Sequence, residues 1–381
     1  MSRFVPQRLA WRTPAGHFPH VSIVPLYGHE ALRLRLASAF HRGTLPASLL
    51  LHGPRGVGKQ RLALWLAQSL VCAERAAETG EPCGRCQNCR FAVALAHPDI
   101  HWFFPRPRPR DTDPTADEVL GDYADAIAER SKSNGLYAAP SGAEGIFVAT
   151  VRAMVHVASM SPAMARHKVF IIGDAERMVA QEGADAAANA LLKLLEEPPA
   201  NTQVILTSSE AGALLPTIRS RVVGVRVASL ARGEVEAFLG DPRVADAMRR
   251  AHGSTSTADL LRAADGAPGR LFGSDERAGA AAGAQRLLES ALSGNRSKTI
   301  RAAMAQGNSK ARGVFSDTLD ELTGLLAARA RSAVSRGDHR AALGASRAIV
   351  RVEEAKTMAA GNVNPALISA TLLRELAREL A

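Results

Sequence analysis

Apolar residues gather in five short runs, at 48–52, 99–104, 168–173, 203–208 and 222–227, each bounded by glycine, proline or charged residues. Runs of this length, with helical periodicity between them, predict buried strands of a parallel sheet with helices packed on it, a doubly wound α/β domain. The stretch 105–145 interrupts the alternation with Pro105-Arg106-Pro107-Arg108-Pro109-Arg110 and an acidic segment. It predicts a surface insertion, with a solvated, mobile loop as the plain reading of its arginines and DNA contact as the sharper one. Beyond 228 the strand signals fade and helical spacing takes over, with a glycine-rich joint at 266–273. After 276 the helices are long and rich in Ala, Leu and Arg, as in a helical bundle. The predicted layout is a tail at 1–20, an α/β domain at 21–228, a small helical domain at 229–278 and a helical C-terminal domain at 279–381. No period of 20 to 50 residues marks a repeat array.

A length of 381 residues agrees with two or three domains. Hydrophobic residues at 46% and charged residues at 22% exclude a mainly disordered or fibrous chain. No apolar run reaches the roughly 18 residues of a membrane span. Residues 1–20 mix arginine with proline and lack the apolar stretch of a secretory signal, so a cytoplasmic address is expected. The net charge of +10 invites a nucleic-acid reading, because a basic surface releases counterions when it meets phosphates. Only 7 of the 47 basic residues are lysine, however, and a compositional bias of the coding genome explains Arg-rich usage equally well. Aromatic residues, at 4%, give base stacking little material.

The four cysteines change the picture. Cys72, Cys83, Cys86 and Cys89 fall within one 18-residue window with the spacing C-x10-C-x2-C-x2-C. In a chain without export features, disulfides would be kept reduced, and a tetrahedral four-thiolate zinc site is the better account. Two-residue spacers let Cys83, Cys86 and Cys89 converge from one knuckle, with Gly84 relieving the turn, while Cys72 arrives from the end of the preceding helix. Four thiolates at about 2.3 Å leave no open coordination position, so such a site is structural. An iron–sulfur cluster is the rival, ahead of a redox pair or unligated thiols.

The segment from Leu49 to Gln60 predicts a strand, a glycine loop and the start of an amphipathic helix over 61–70. Gly53, the residues Pro54-Arg55-Gly56-Val57, then Gly58 and Lys59 satisfy G-x4-G-K, whose backbone N–H groups cradle phosphate at a helix N-terminus. The next residue should be Ser or Thr to reach magnesium, but it is Gln60, whose amide carbonyl on a longer arm is a poor substitute. After the apolar run Val169-Phe170-Ile171-Ile172 comes Gly173-Asp174-Ala175-Glu176, where a hydrolytic site carries consecutive acids. Asp174 can still face a metal, Ala175 cannot activate water, and Glu176 stands as a displaced candidate base. Two losses in one site predict a phosphate-loop fold with most hydrolytic capacity gone.

Together the phosphate loop, the cysteine knuckle after the first helix, Asn189-Ala190-Leu191-Leu192-Lys193-Leu194-Leu195-Glu196-Glu197-Pro198-Pro199 and Leu214-Leu215-Pro216-Thr217-Ile218-Arg219-Ser220-Arg221 resemble the bacterial clamp-loader subunits. These are the AAA+ proteins of the DNA polymerase III holoenzyme that load the sliding clamp. The resemblance covers about 27–227 strongly, 266–270 more weakly, and Asn362-Val363-Asn364-Pro365-Ala366-Leu367 suggestively. Gln60 and Ala175 make the site similar to the delta-prime branch rather than the ATP-hydrolysing gamma/tau branch. Residues 229–278 then correspond to a helical lid and 279–381 to a collar.

What the resemblance implies can be set beside the plainer reading of each residue. Arg221, following Ser220, corresponds to an arginine finger reaching a neighbouring subunit's ATP; a surface ion pair is the alternative, and Val222 stands where the family motif usually has Cys. Thr207 and Ser208 occupy the sensor position at a strand end, where a hydroxyl satisfying backbone is equally plausible. Arg270, in Gly266-Ala267-Pro268-Gly269-Arg270, is the second-sensor candidate. The leucines of 189–199 are most simply core, stopped by Pro198 and Pro199.

The resulting expectation is a clamp-loader subunit that hydrolyses little ATP itself, its vestigial loop of Gly53, Gly56, Gly58 and Lys59 holding ATP and magnesium weakly or not at all. Arg221 acts in trans, zinc is structural, and the partners are gamma/tau and delta subunits, with the sliding clamp and primed DNA met through the complex. The rivals are an ATP-hydrolysing gamma/tau subunit and a zinc-containing nucleic-acid-binding protein.

Overall fold

The computed structural model describes residues 23–76, 79–111, 113–138, 140, 144–178, 185–273, 275–305, 312–360 and 363–380. The expected tail at 1–20 and Asn362 lie outside them.

All five apolar runs form strands: β1 (Ser48–His52), β2 (Ile100–Phe103), β3 (Lys168–Ile172), β4 (Thr202–Ser208) and β5 (Val223–Arg226). They pair in parallel in the order β2-β3-β4-β1-β5. The chain thus adds β2, β3 and β4 toward β1 and then crosses it to place β5. That leaves β1 at the topological switch, where open α/β sheets hold ligands beyond the strands' carboxyl ends. The central strands β3 and β4 are buried throughout, as continuous apolar runs require, whereas β5 is an exposed edge with Val223 50% accessible. A parallel five-stranded sheet with packed helices fits the α/β AAA+ fold expected from the sequence.

The helix α2 (Lys59–Val71) follows β1 and packs on the sheet, with Leu62, Ala63, Leu66 and Ala67 fully buried. Asp99, just ahead of β2, is buried and accepts N–H bonds from Ala163, Met164 and Ala165 at 2.5, 2.8 and 2.6 Å. Those bonds fasten the loop before β3. The stretch 105–145 differs from the loop the sequence predicts, because it contains the 17-residue helix α4 (Ala116–Lys132). A capping box of Thr115 and Glu118 starts this helix, Val119 and Tyr123 are buried on its inner face, and the Tyr123 hydroxyl donates to Phe104 O at 2.7 Å. Arg106 of the Arg-Pro run pairs with Asp122 at 2.8 and 2.9 Å rather than standing clear in solvent.

By compactness the chain divides into two units, one running to Phe272 apart from 140–144, the other holding 140–144 and the chain from Gly273. Within the first unit, α8 (Arg232–Leu239), α9 (Pro242–His252) and α10 (Thr257–Ala264) gather a core of their own around Leu230, Val235, Phe238, Val244, Met248 and Leu260. The second unit contains α11 (Asp275–Leu292), α12 (Arg296–Met304), α13 (Arg312–Ser335), α14 (His339–Ala360) and α15 (Pro365–Glu379). Its core includes Leu287, Leu319, Leu322, Leu326, Val352, Leu372 and Leu376, and Lys356 pairs with Asp320 at 2.8 Å. Asn364 and Pro365 start α15, the Asn364 side chain accepting from Ala366 N at 2.8 Å and proline standing at the first helical position. Among the described residues no helix is long and apolar enough to cross a membrane.

Candidate functional site

The loop between β1 and α2 depends on glycine. A Cβ at Gly53 would lie 2.0 Å from Val227 O, and Gly56 and Gly58 take φ of 84° and 94°. The backbone therefore makes the phosphate-loop turn predicted from G-x4-G-K. The Lys59 ammonium is buried and donates to Gly53 O at 3.0 Å, Pro54 O at 2.9 Å and Ser209 Oγ at 2.9 Å, closing the loop on itself. Burial pushes its pKa down to about 8, against the opposing pull of Asp174 and Glu176.

Gln60 reaches from α2 to the end of β3. Its Nε2 donates to Asp174 Oδ2 at 2.9 Å, and its Oε1 accepts from Trp102 Nε1 at 3.0 Å. The amide fills the space beside Gly173, where a Cβ would lie 2.5 Å from Gln60 Oε1. Asp174, left-handed at φ 47°, donates its own N–H to Thr207 Oγ1 at 3.1 Å. Thr207 is fully buried, and its hydroxyl oxygen serves the backbone just past the end of β3. Ala175 is buried on the turn that follows β3. Glu176 accepts from Ser209 N at 2.9 Å; burial, aided by the Asp174 charge, raises its carboxyl pKa above the ordinary range.

The small helical segment closes on the loop from the other side. The 3-10 turn Pro268–Leu271 brings Gly269 N to Gly56 O at 2.9 Å, and a Cβ on Gly269 would meet Gly56 Cα at 2.8 Å. Arg270 follows directly, its backbone N only 2.8 Å from where a Gly56 Cβ would stand. Upstream, His29 Nε2 lies 2.8 Å from Val57 O, and the Tyr27 hydroxyl donates to Asp241 Oδ2 at 3.0 Å. Arg243 holds the same carboxylate through two nitrogens at 3.0 and 2.8 Å, and this pairing keeps Asp241 down at about 2.

Sequence reasoning named Gln60 and Asp174 but missed that they bond to each other, and it missed Trp102 and Ser209 altogether. Neither residue type carries a motif, and only the parallel order of β1 to β4 brings them beside the loop. Trp102 is in turn held by α4, whose Arg130 guanidinium lies over the Trp102, Phe104 and Tyr137 rings at 4.5, 3.3 and 3.8 Å.

Away from the loop, the four cysteines converge. Their sulfurs lie within 4.8 Å of one another, with Cys72 to Cys86 at 3.9 Å and Cys83 to Cys89 at 4.0 Å. A tetrahedron of sulfurs about 2.3 Å from a central ion has edges of about 3.8 Å, so the donor set fits a tetrahedral dication. Backbone N–H groups of Cys83, Cys86 and Cys89 point at the sulfurs of Cys72, Cys83 and Cys86, at 3.3, 3.3 and 3.5 Å. Donation from Cys86 N is the main cause that brings Cys83 down to about 7, while burial pushes Cys72 and Cys89 up. The segment is tied to α2 by Ser69 Oγ to Gly80 O at 2.7 Å, Asn88 Nδ2 to Val71 O at 2.6 Å and Trp65 Nε1 to Glu81 Oε2 at 3.1 Å.

Arg221 lies just past the helix α7 (Pro216–Arg219), where Nη1 donates to Thr217 O at 2.8 Å and Nη2 pairs with Glu196 Oε1 at 2.6 Å. Glu196, which sequence reasoning treated only as part of a family segment, is the last residue of α6 (Asp185–Glu196).

Comparison with known proteins places this geometry in context. The family model described as DNA polymerase III, delta subunit, matches residues 28–231. A DNA polymerase III subunit delta' of Haemophilus influenzae is 30% identical over 52% of this chain and 46% of its own length. The corresponding subunit of Pseudomonas aeruginosa is 32% identical over 46% of this chain and 40% of its own. A DNA polymerase III subunit gamma/tau of Mycobacterium tuberculosis is 31% identical over 52% of this chain and 27% of its own. The chain thus spans less than half the length of these curated relatives.

Proposed function

The chain belongs to the DNA polymerase III, delta subunit family, and from that premise we propose that it acts as a delta-prime subunit of the clamp loader, supplying Arg221 to a neighbour's ATP while its own phosphate loop turns over little or none. The observation that carries this reading is Gln60, which stands where the motif has a magnesium-binding hydroxyl and whose Nε2 donates to Asp174 Oδ2 at 2.9 Å. Lys59 supports the same reading, since the ammonium that would meet a nucleotide's phosphates donates to Gly53 O, Pro54 O and Ser209 Oγ. Arg270 is kept as the second-sensor candidate, standing beside Gly56 on the turn that closes the loop.

A planar guanidinium suits the trans role because its fork of donors stabilises charge developing on a transferring phosphoryl group. Arg221 lies two residues ahead of the edge strand β5, with its side chain 28% accessible. The partners in this reading are gamma/tau and delta subunits, with the sliding clamp and primed DNA engaged through the assembled loader, in the cytoplasm. The four cysteines hold Zn(II), which supplies closed tetrahedral ligation and no open position for chemistry; Cys72, Cys83, Cys86 and Cys89 fix the insertion onto α2.

The test is magnesium-dependent ATP turnover, first by the purified chain and then by a loader reconstituted with gamma/tau and delta subunits. The chain alone is expected to give no turnover above a Lys59→Ala control, and Arg221→Ala is expected to leave assembly intact while slowing the complex at least tenfold. Turnover by the chain alone at a rate ordinary for AAA+ motors would instead favour the gamma/tau reading, which the mycobacterial relative's similar identity keeps in view.

A further inference from the structure

We infer that Glu196 is a latch that stows Arg221 against its own subunit until a phosphate on a neighbour displaces it; this rests on the finger reading of Arg221. The guanidinium is engaged on both terminal nitrogens. Nη2 meets Glu196 Oε1 at 2.6 Å, and Nη1 meets Thr217 O at 2.8 Å and Ser220 Oγ at 3.4 Å. A phosphoryl group taken in the bidentate manner needs two adjacent donors of the fork, and Glu196 competes for them through Nη2. A carboxylate in contact also offsets the positive charge that makes the finger useful. Exchanging Glu196 for phosphate therefore returns both the Nη2 donor and the uncompensated charge to the finger.

Three features make Glu196 a holder that can let go. It closes α6, where Pro198 and Pro199 prevent further helix, so the carboxylate is presented from a defined backbone position, while the negative end of the helix dipole separately attracts the guanidinium. Its side chain is 49% exposed, so the pair is solvent-screened and weak, enough to bias a side chain but not to trap it. Nε of Arg221, finally, is buried with no hydrogen-bond partner in the stowed position, a deficit that a swung-out side chain would relieve. The stowed state is thus held by one charged contact, beside the Nη1 bonds to Thr217 O and Ser220 Oγ, and carries a built-in reason to leave.

The experiment is steady-state ATP turnover by the reconstituted loader with clamp and primed DNA, in a cycle of wild type, Glu196→Gln, Arg221→Ala and the double variant. Glu196→Gln preserves shape and removes charge. The latch predicts that it raises kcat about two- to fivefold, the range a screened surface pair can bias, and that it changes nothing on the Arg221→Ala background. A Glu196→Gln rate that is unchanged or lower, beside a slowed Arg221→Ala, overturns the latch and leaves the finger standing. An equal Glu196→Gln effect with and without Arg221 also overturns it, since Glu196 would then act on the fold and not on the finger. A wild-type rate for Arg221→Ala overturns the finger reading, and the latch with it.

Discussion

Replacing Gln60 with alanine tests whether this one side chain closes the phosphate loop's metal position. The substitution removes two hydrogen bonds at once, the 2.9 Å bond to Asp174 and the 3.0 Å bond from Trp102. Trp102 is only 3% exposed, so its indole N–H loses its acceptor where water cannot follow, at a cost of about 1–3 kcal/mol. Asp174 is half-buried and can recruit water, so its charge-assisted bond adds about 1 kcal/mol after that compensation. The sum, about 2–4 kcal/mol, corresponds to a fall in Tm of about 5–15 °C for a unit of this size. Denaturant unfolding followed by tryptophan fluorescence reads the loss directly, and a cycle with Trp102→Phe isolates the pair, with a coupling of at least about 1 kcal/mol expected. Gln60→Ala within about 0.5 kcal/mol of wild type, or a coupling near zero, would refute the view that Gln60 stands in for the metal by satisfying its neighbours.

Elemental analysis of the purified chain should find one zinc per molecule, and Cys89→Ser or a strong chelator should lower Tm and expose the cysteine segment to protease; zinc-free chain of unchanged stability would contradict a structural site. His97 and His101 are buried, and desolvation pushes both down to about 4. Because their folded pKa values lie below the ordinary value near 6.5, their contribution is complete above pH 6.5 and is lost as pH falls toward 4. About 2 kcal/mol per histidine should have gone by pH 5, and urea midpoints at pH 7.5 and 5 measure it; His101→Gln should flatten that slope. Gly269→Ala should cost about 1–3 kcal/mol, since the new Cβ meets Gly56 Cα at 2.8 Å and the backbone on both sides must give. A neutral result in thermal denaturation would mean that the turn does not bear on the loop.

Much of the site was legible because its signals are local. The glycines of the loop announce a backbone path that only they tolerate, and the knuckle's spacing brings three thiols together before any long-range contact forms. The strands were readable as apolar runs because a parallel sheet buried on both faces requires them. The stretch 105–145 holds more regular structure than its composition suggests: proline and arginine at its start point to solvent, but Thr115 and Glu118 cap a helix whose Val119 and Tyr123 are buried. Trp102 and Glu196 could not have been picked out, since a tryptophan in a strand and a glutamate at a helix end are ordinary residues in sequence.

By itself the sequence determined a phosphate-loop α/β unit, a four-thiol cluster and helical segments beyond 228, because periodicity, glycine requirements and short spacings act between residues close along the chain. It also determined that Gln60 and Ala175 stand where the resemblance expects a hydroxyl and an acid. Only the tertiary structure decided which groups meet there. Gln60 and Asp174 are 114 residues apart, Lys59 and Ser209 are 150 apart, and Glu196 meets Arg221 across β4 and α7. Side-chain hydrogen bonds reach about 3 Å, so which groups satisfy one another depends on strand order and register, and these are set when the whole sheet assembles.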